Sequence, residues 1–260
     1  MQAILQVEKL SKRFGEHLLF EDISFGIGMY QKTALIAKNG KGKSTLLKII
    51  AGEESPDTGT VIFRNGITLG YLAQDPELNP ENHVFEEVFN ADTPVLRLIK
   101  AYEKAVADND QAALEELLPQ MDSQAAWDYE HLVKQIISRL KVDTYRQPIR
   151  TLSGGQRKRV GLAKVLISNP DFLLLDEPTN HLDMESITAL KNGLIKFPGV
   201  LLFSSRDHQL VQTTANRIME IGPGGKLIDK ITTYDEYLES DEMARKRQVY
   251  TMMESDEEDN

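Results

Sequence analysis

The chain has 260 residues, a hydrophobic share of 41%, and 40 acidic against 30 basic side chains, for a formal charge of −10. This is enough apolar material for one large domain or two small ones, and the acidic balance gives no overall attraction to nucleic acid or anionic lipid, so such a contact needs a local basic patch. The absence of cysteine excludes disulfides, thiolate metal sites and cysteine nucleophiles, and no run approaches the roughly 20 apolar residues of a membrane span.

The start, Met1 to Val7, alternates like a strand and lacks the charged and apolar regions of a signal peptide, so a soluble cytoplasmic protein is expected. Short apolar strands bracket glycine-rich turns at 4–7, 18–20, 33–36, 60–63 and 68–72. A helix should open at Lys43 and run to Ala51, where Gly52 can cap it. From Glu81 to Leu140 the pattern is helical. Thr93-Pro94 reads as a cap and first-turn proline, followed by one apolar stripe of Leu96, Ile99, Tyr102 and Val106. Asp108-Asn109-Asp110 breaks that helix, a second run is expected to stop at Pro119, and a third spans about 124–140. Helix and strand then alternate: helix 156–168, strand 172–175, helix 184–196, strand 200–203 and helix 209–214. A terminal hairpin pairs 217–221 with 226–231 around Pro223-Gly224-Gly225. The order is that of an α/β core interrupted by a helical insertion. Residues 241–260 hold seven acids and three bases, the composition of a disordered tail.

Two stretches carry chemistry. The first, Ala37-Lys38-Asn39-Gly40-Lys41-Gly42-Lys43-Ser44-Thr45, joins a strand to a helix through a glycine-rich loop. Glycines let backbone N–H groups turn inward and the helix start directs further donors at an anion, which is what a polyphosphate requires. Lys43 would reach the outer phosphates and the Ser44 hydroxyl would ligate Mg²⁺. Ala37 stands where the strict pattern has its first glycine. A positive φ there would cost about 1–2 kcal/mol, and a negative φ little. The second stretch, Phe172 to Glu177, is an apolar strand ending in two carboxylates. At the carboxyl edge of a parallel sheet Asp176 would hold Mg²⁺ through water and Glu177 would polarise an attacking water. A solvated strand end would show the same two acids. Their place on the sheet edge that carries the glycine loop favours the chemical reading.

Leu152-Ser153-Gly154-Gly155-Gln156-Arg157-Lys158-Arg159, beginning 24 residues before Asp176, resembles the signature of the ABC ATPases. Gln74 resembles the family's glutamine that senses γ-phosphate and metal. Phe14, 23 residues before Ala37, resembles the aromatic that stacks on adenine, and Asp183 the aspartate that follows the catalytic strand. The resemblance covers about residues 4–238. It implies an α/β fold of the P-loop NTPase kind, ABC type: a mixed sheet core with an antiparallel β subdomain and a helical insertion. It further implies a nucleotide-binding domain over 1–240, a helical subdomain with a candidate arm at about 81–150, and the tail over 241–260. ATP and Mg²⁺ are the expected ligands, the metal at Ser44, Gln74 and Asp176. The Ser153 hydroxyl and the Gly154 and Gly155 N–H groups open a helix and so form a second anion site. In the family that site contacts ATP bound to a facing domain, which implies a homodimer or a second nucleotide-binding domain as partner.

Asn180-His181-Leu182-Asp183 is similar to the F-type ABC proteins, which act on ribosomes (rRNA and tRNA) rather than on membranes. The 77 positions between Gln74 and Leu152 leave room for the arm of that type, or for a larger helical subdomain. Two departures follow. Arg206, in Ser204-Ser205-Arg206-Asp207-His208, stands where the family has a switch histidine, which makes slow hydrolysis an expectation. His208 is an alternative at that position or an exposed loop histidine. F-type proteins also carry two nucleotide domains where this chain has one, and Arg245-Lys246-Arg247 is either the stub of a linker helix or a charged tail. Two alternatives stand beside the ribosomal reading: the ATP-binding subunit of a membrane permease, and a weakly hydrolysing regulator.

Overall fold

The computed structural model describes residues 3–89, 94–142 and 146–240, with 242, 243, 245, 248 and 249. The expected Thr93 cap, Lys246, Arg247 and the acidic run 254–259 lie outside the described residues. The chain divides into two compact units, one of residues 1–74, 170–180 and 191–260, the other of 75–169 and 181–190.

The first unit holds both sheets. Strands β1 (Ala3–Phe14), β2 (His17–Gly28) and β4 (Thr58–Phe63) form an antiparallel sheet in the order β2-β1-β4. A second sheet has the order β5-β6-β7-β3-β8-β9, from β3 (Lys32–Ala37), β5 (Leu69–Leu72), β6 (Phe172–Asp176), β7 (Val200–Ser204), β8 (Arg217–Ile221) and β9 (Leu227–Lys230). Its neighbours run parallel except β9, which returns antiparallel to β8. Every residue of β6 and β7 is buried, as expected of parallel strands covered on both faces. Helix α1 (Lys43–Ala51) sets Leu46, Leu47, Ile49 and Ile50 into a core shared with Leu5, Phe20, Ile27, Phe172 and Leu202. Each such side chain contributes about 1.5–3 kcal/mol by leaving water. Gly52 ends α1 at φ 81, as the sequence predicts. Arg217 ties the sheets together: it forks onto Asp229 and donates to the Gly26 carbonyl at 2.6 Å.

The helical insertion forms the second unit: α2 (Val84–Val88), α3 (Pro94–Asp108), α4 (Gln111–Ser123), α5 (Ala126–Arg139) and α6 (Gly154–Ile167), with the start of α7 (Met184–Lys196). Asn109, at φ 52, breaks the chain between α3 and α4, and the Asp110 side chain caps α4 by accepting from the Ala113 N–H. Two expectations need correction. Pro119 does not stop a helix; it lies inside α4, which continues to Ser123. The stripe on α3 also turns at its end, where Ala105 is buried and Val106 exposed, because 3.6 residues per turn carry position 106 off the buried face. The short helices α2, α8 (His208–Thr214) and α9 (Tyr234–Glu239) complete the fold.

Candidate functional site

In the first unit the loop after β3 turns through two left-handed glycines, Gly40 at φ 79 and Gly42 at φ 88. Gly42 is required twice over, since a Cβ there would stand 3.0 Å from the Leu19 Cβ. Ala37 closes β3 and is not among the positive-φ residues, so the missing first glycine brings no backbone penalty. Helix α1 starts with no side-chain cap, leaving first-turn amides directed at whatever occupies the loop. Lys43 folds back over this loop, its Nζ donating to the Ala37 carbonyl at 3.2 Å.

At the end of β6 the two acidic residues are buried, and Ser204, the residue paired with Asp176 across the β6–β7 register, meets the carboxylate of the first and the backbone of the second. The Ser204 hydroxyl donates to Asp176 Oδ1 at 2.6 Å and accepts from the Glu177 N–H at 3.0 Å. Glu177 has φ 45, a left-handed conformation that costs a non-glycine residue about 1–2 kcal/mol. That turn swings its carboxylate toward the glycine loop. Oε2 accepts the Arg206 N–H at 3.2 Å. Oε1 is buried without a hydrogen bond and faces two cations, Arg206 Nε at 3.5 Å and Lys43 Nζ at 4.0 Å.

These groups line one cleft of about 360 Å³: Asn39, Gly40, Gly42, Lys43, Ser44 and Thr45 from the loop and helix, Gln74 after β5, Glu177, Arg206, and a wall of Phe14, His17 and Leu19. Phe14 is half exposed at the tip of the β1–β2 hairpin, with Lys12 Nζ 5.2 Å from its ring centre. Lys12 is held from below by Glu54 at 2.8 Å. Ala37, Lys38, Lys41 and Asp176 are adjacent in the chain but do not line the cleft. Two larger clefts, of about 500 and 430 Å³, lie on the β2-β1-β4 sheet. Charges there pair with each other, Arg13 and Lys226 both with Glu21, and among the described residues that line them none belongs to a helix.

The sequence reading missed His17, Leu19 and Ser204. The first two follow Phe14 around a hairpin, so the aromatic could have pointed to them. Ser204 meets the acids only through sheet register, which no local pattern reveals. His208 is exposed in the first turn of α8, where its Nδ1 meets the Tyr234 hydroxyl at 2.8 Å, and it does not line the cleft.

In the second unit Ser153 caps α6. Its hydroxyl accepts the Gln156 N–H at 3.3 Å while Gln156 Oε1 accepts the Ser153 N–H at 2.8 Å. A Cβ on Gly155 would lie 2.7 Å from the His181 carbonyl oxygen, whereas Gly154 has open space. Asp183 pairs with Arg159 at 3.1 Å, and the Ser186 N–H holds its carboxyl below the ordinary range.

A glycine loop between a parallel strand and a helix, beside a strand that ends in two acids, defines a P-loop nucleotide-binding fold. Residues 20–180 match the family described as ABC transporter, and the chain belongs to this family as an ABC ATPase domain. It is 39% identical over 245 residues to the ABC transporter ATP-binding protein YfmR of Bacillus subtilis, covering 91% of this chain and 39% of that protein. It is 33% identical to the energy-dependent translational throttle protein EttA of Mycobacterium tuberculosis (85% and 41% covered) and to the ATP-binding protein Uup of Escherichia coli (86% and 36%). These relatives are F-type ABC proteins. The chain spans about two fifths of the length of these curated relatives. Among solved structures, an ATP-binding subunit of an ABC transporter superimposes with a TM-score of 0.68 at 21% identity, over 96% of this chain and 99% of that one, a likeness of fold. Among the described residues no helix is long and apolar enough to cross a membrane.

Proposed function

We propose that this chain binds Mg-ATP in the cleft and hydrolyses it as part of an F-type protein acting on the ribosome in the cytoplasm. The observation that carries the ATPase reading is the buried Glu177 carboxylate, turned by a strained backbone toward the glycine loop and Lys43. Adenine stacks on Phe14, and the amides from Lys38 to Thr45 hold the phosphates with Lys43. Ser44 and Gln74 offer hard oxygen donors in the cleft, and Asp176, which does not line it, would reach magnesium through a water, so the residues suit the ion. When bound, the ion neutralises phosphate charge. Glu177 then accepts a proton from a water whose oxygen attacks the terminal phosphorus, and ADP leaves.

The signature end of α6, from Ser153 to Gln156, and Asp183 act on nucleotide held by a second copy or a second domain. Turnover therefore needs a head-to-tail pair. The domain occupies 1–240, the helices within 81–150 serve as an arm toward rRNA or tRNA, and 241–260 is a tail. The translational role of the mycobacterial relative supports the ribosomal assignment. Co-sedimentation tests it: the Glu177→Gln chain should pellet with ribosomes under ATP and not under ADP. Recovery with a membrane permease instead would make it a transporter subunit, and no ATP-dependent partner would leave a nucleotide-binding regulator.

A further inference from the structure

The aromatic ring on one wall of the cleft rests on a buried cation. Lys12, two residues before Phe14 at the end of β1, is 7% exposed, and its Nζ lies 5.2 Å from the centre of the Phe14 ring. An ammonium has three N–H donors. One goes to Glu54 Oε1 at 2.8 Å and one to the Ser55 carbonyl at 2.7 Å, while Asp57 Oδ1 stays at 3.7 Å, beyond hydrogen-bond reach. The ring lies within the roughly 6 Å over which a cation is drawn to an aromatic face. The Glu54 hydrogen bond raises the Lys12 pKa above the ordinary lysine value, so the charge is kept.

The partners of Lys12 all follow α1. The Glu54 N–H donates to the Lys48 carbonyl in the last turn of that helix at 3.3 Å. Asp57 takes the Arg13 N–H at 2.7 Å and gives its own to the Ser11 carbonyl at 3.0 Å. A line of direct contacts therefore runs from α1 through Glu54 and Lys12 to Phe14. Phe14 lines the cleft and Lys12 does not, so Lys12 acts on a ligand there only through the ring. A ring held in place before its ligand arrives loses less freedom on binding.

We propose that Lys12 is a positioning residue for the nucleotide base: it fixes the Phe14 ring in the orientation that stacks on adenine, and couples that ring to the helix whose start carries the phosphate loop. The inference rests on the cleft being the nucleotide site and Phe14 its stacking surface.

The test is calorimetry with magnesium, comparing ATP with inorganic triphosphate, which offers the phosphates without a base. Lys12→Met, which keeps the reach of the side chain and drops its charge, should bind ATP about three- to tenfold more weakly and triphosphate within about twofold of wild type. Lys12→Arg, whose cation also sits on aromatic faces, should stay nearer wild type than Lys12→Met for ATP. In a Phe14→Ala background Lys12→Met should change ATP affinity by less than about twofold, because the ring it acts through is gone. Equal losses for ATP and triphosphate, an undiminished loss in the Phe14→Ala background, or no loss at all would overturn the proposal. If Lys12→Met leaves Glu54 unpaired and the chain unfolded, Lys12→Met combined with Glu54→Gln carries the same comparisons. ATP affinity unchanged by Phe14→Ala would remove the stacking surface, and binding of neither ligand by the wild-type chain would remove the nucleotide site. Both results are distinct from a failure at Lys12 alone.

Discussion

Gly42 and Gly155 stand beside helix starts in different units, and each is glycine for a different reason. Gly42 must adopt φ 88, so the chain can turn into α1 with its amides facing the loop. Gly155 has no such backbone requirement; it is small because the His181 carbonyl passes 2.7 Å from where a Cβ would be. The helix ends differ in the same way. The start of α1 has no side-chain cap, whereas the start of α6 is closed by Ser153 and Gln156 on each other. The sheet unit leaves the first-turn amides of α1 without a side-chain acceptor. In the helical unit an anion at the start of α6 would have to compete with the Ser153 hydroxyl for the Gln156 amide.

The largest effect that can break this contrast is on turnover. Glu177→Gln should lower ATP hydrolysis by roughly 10²–10⁴-fold, the loss expected of a general base, while ATP still binds. A phosphate-release assay beside calorimetry checks both halves, and wild-type turnover in the variant would remove Glu177 from the chemistry. On the other side of the comparison, Gly155→Ala should destabilise the helical unit by about 1–3 kcal/mol, since the backbone of residue 181 has to shift. Gly154→Ala, in open space, should leave the melting temperature nearly unchanged. Equal melting of the two variants would mean that the close approach at His181 carries no strain. A smaller loss, about 1 kcal/mol, is expected for Ser153→Ala from the missing cap. Denaturant unfolding measures it, and an unchanged midpoint would show the cap to be idle without nucleotide.

Much of this division was legible in the sequence, for physical reasons that can be named. Phe172 to Leu175 is an uninterrupted apolar run because both faces of the strand are buried, and such runs announce themselves. The glycine loop was readable because φ values near 80 leave few other residues eligible. Helix α1 begins and ends at the expected Lys43 and Ala51 for the same reason, with Gly52 closing it. Pro119 misled because a proline that usually ends a helix is here carried inside α4, which continues for four more residues. Ser204 could not be found at all, since its bond to Asp176 depends on which strand lies next to β6. The strain at Glu177 was equally invisible, because it is imposed by the tertiary positions of Ser204 and Arg206 rather than by its own neighbours in sequence.

The measurement closest to the central claim is calorimetry of Mg-ATP against the wild-type chain and Lys43→Ala. Losing a charged partner of a bound phosphate costs about 2 kcal/mol or more, so the variant should bind at least about thirtyfold more weakly. Matching affinities, or no heat from either protein at millimolar nucleotide, would contradict the claim that the loop from Ala37 to Thr45 grips the phosphates.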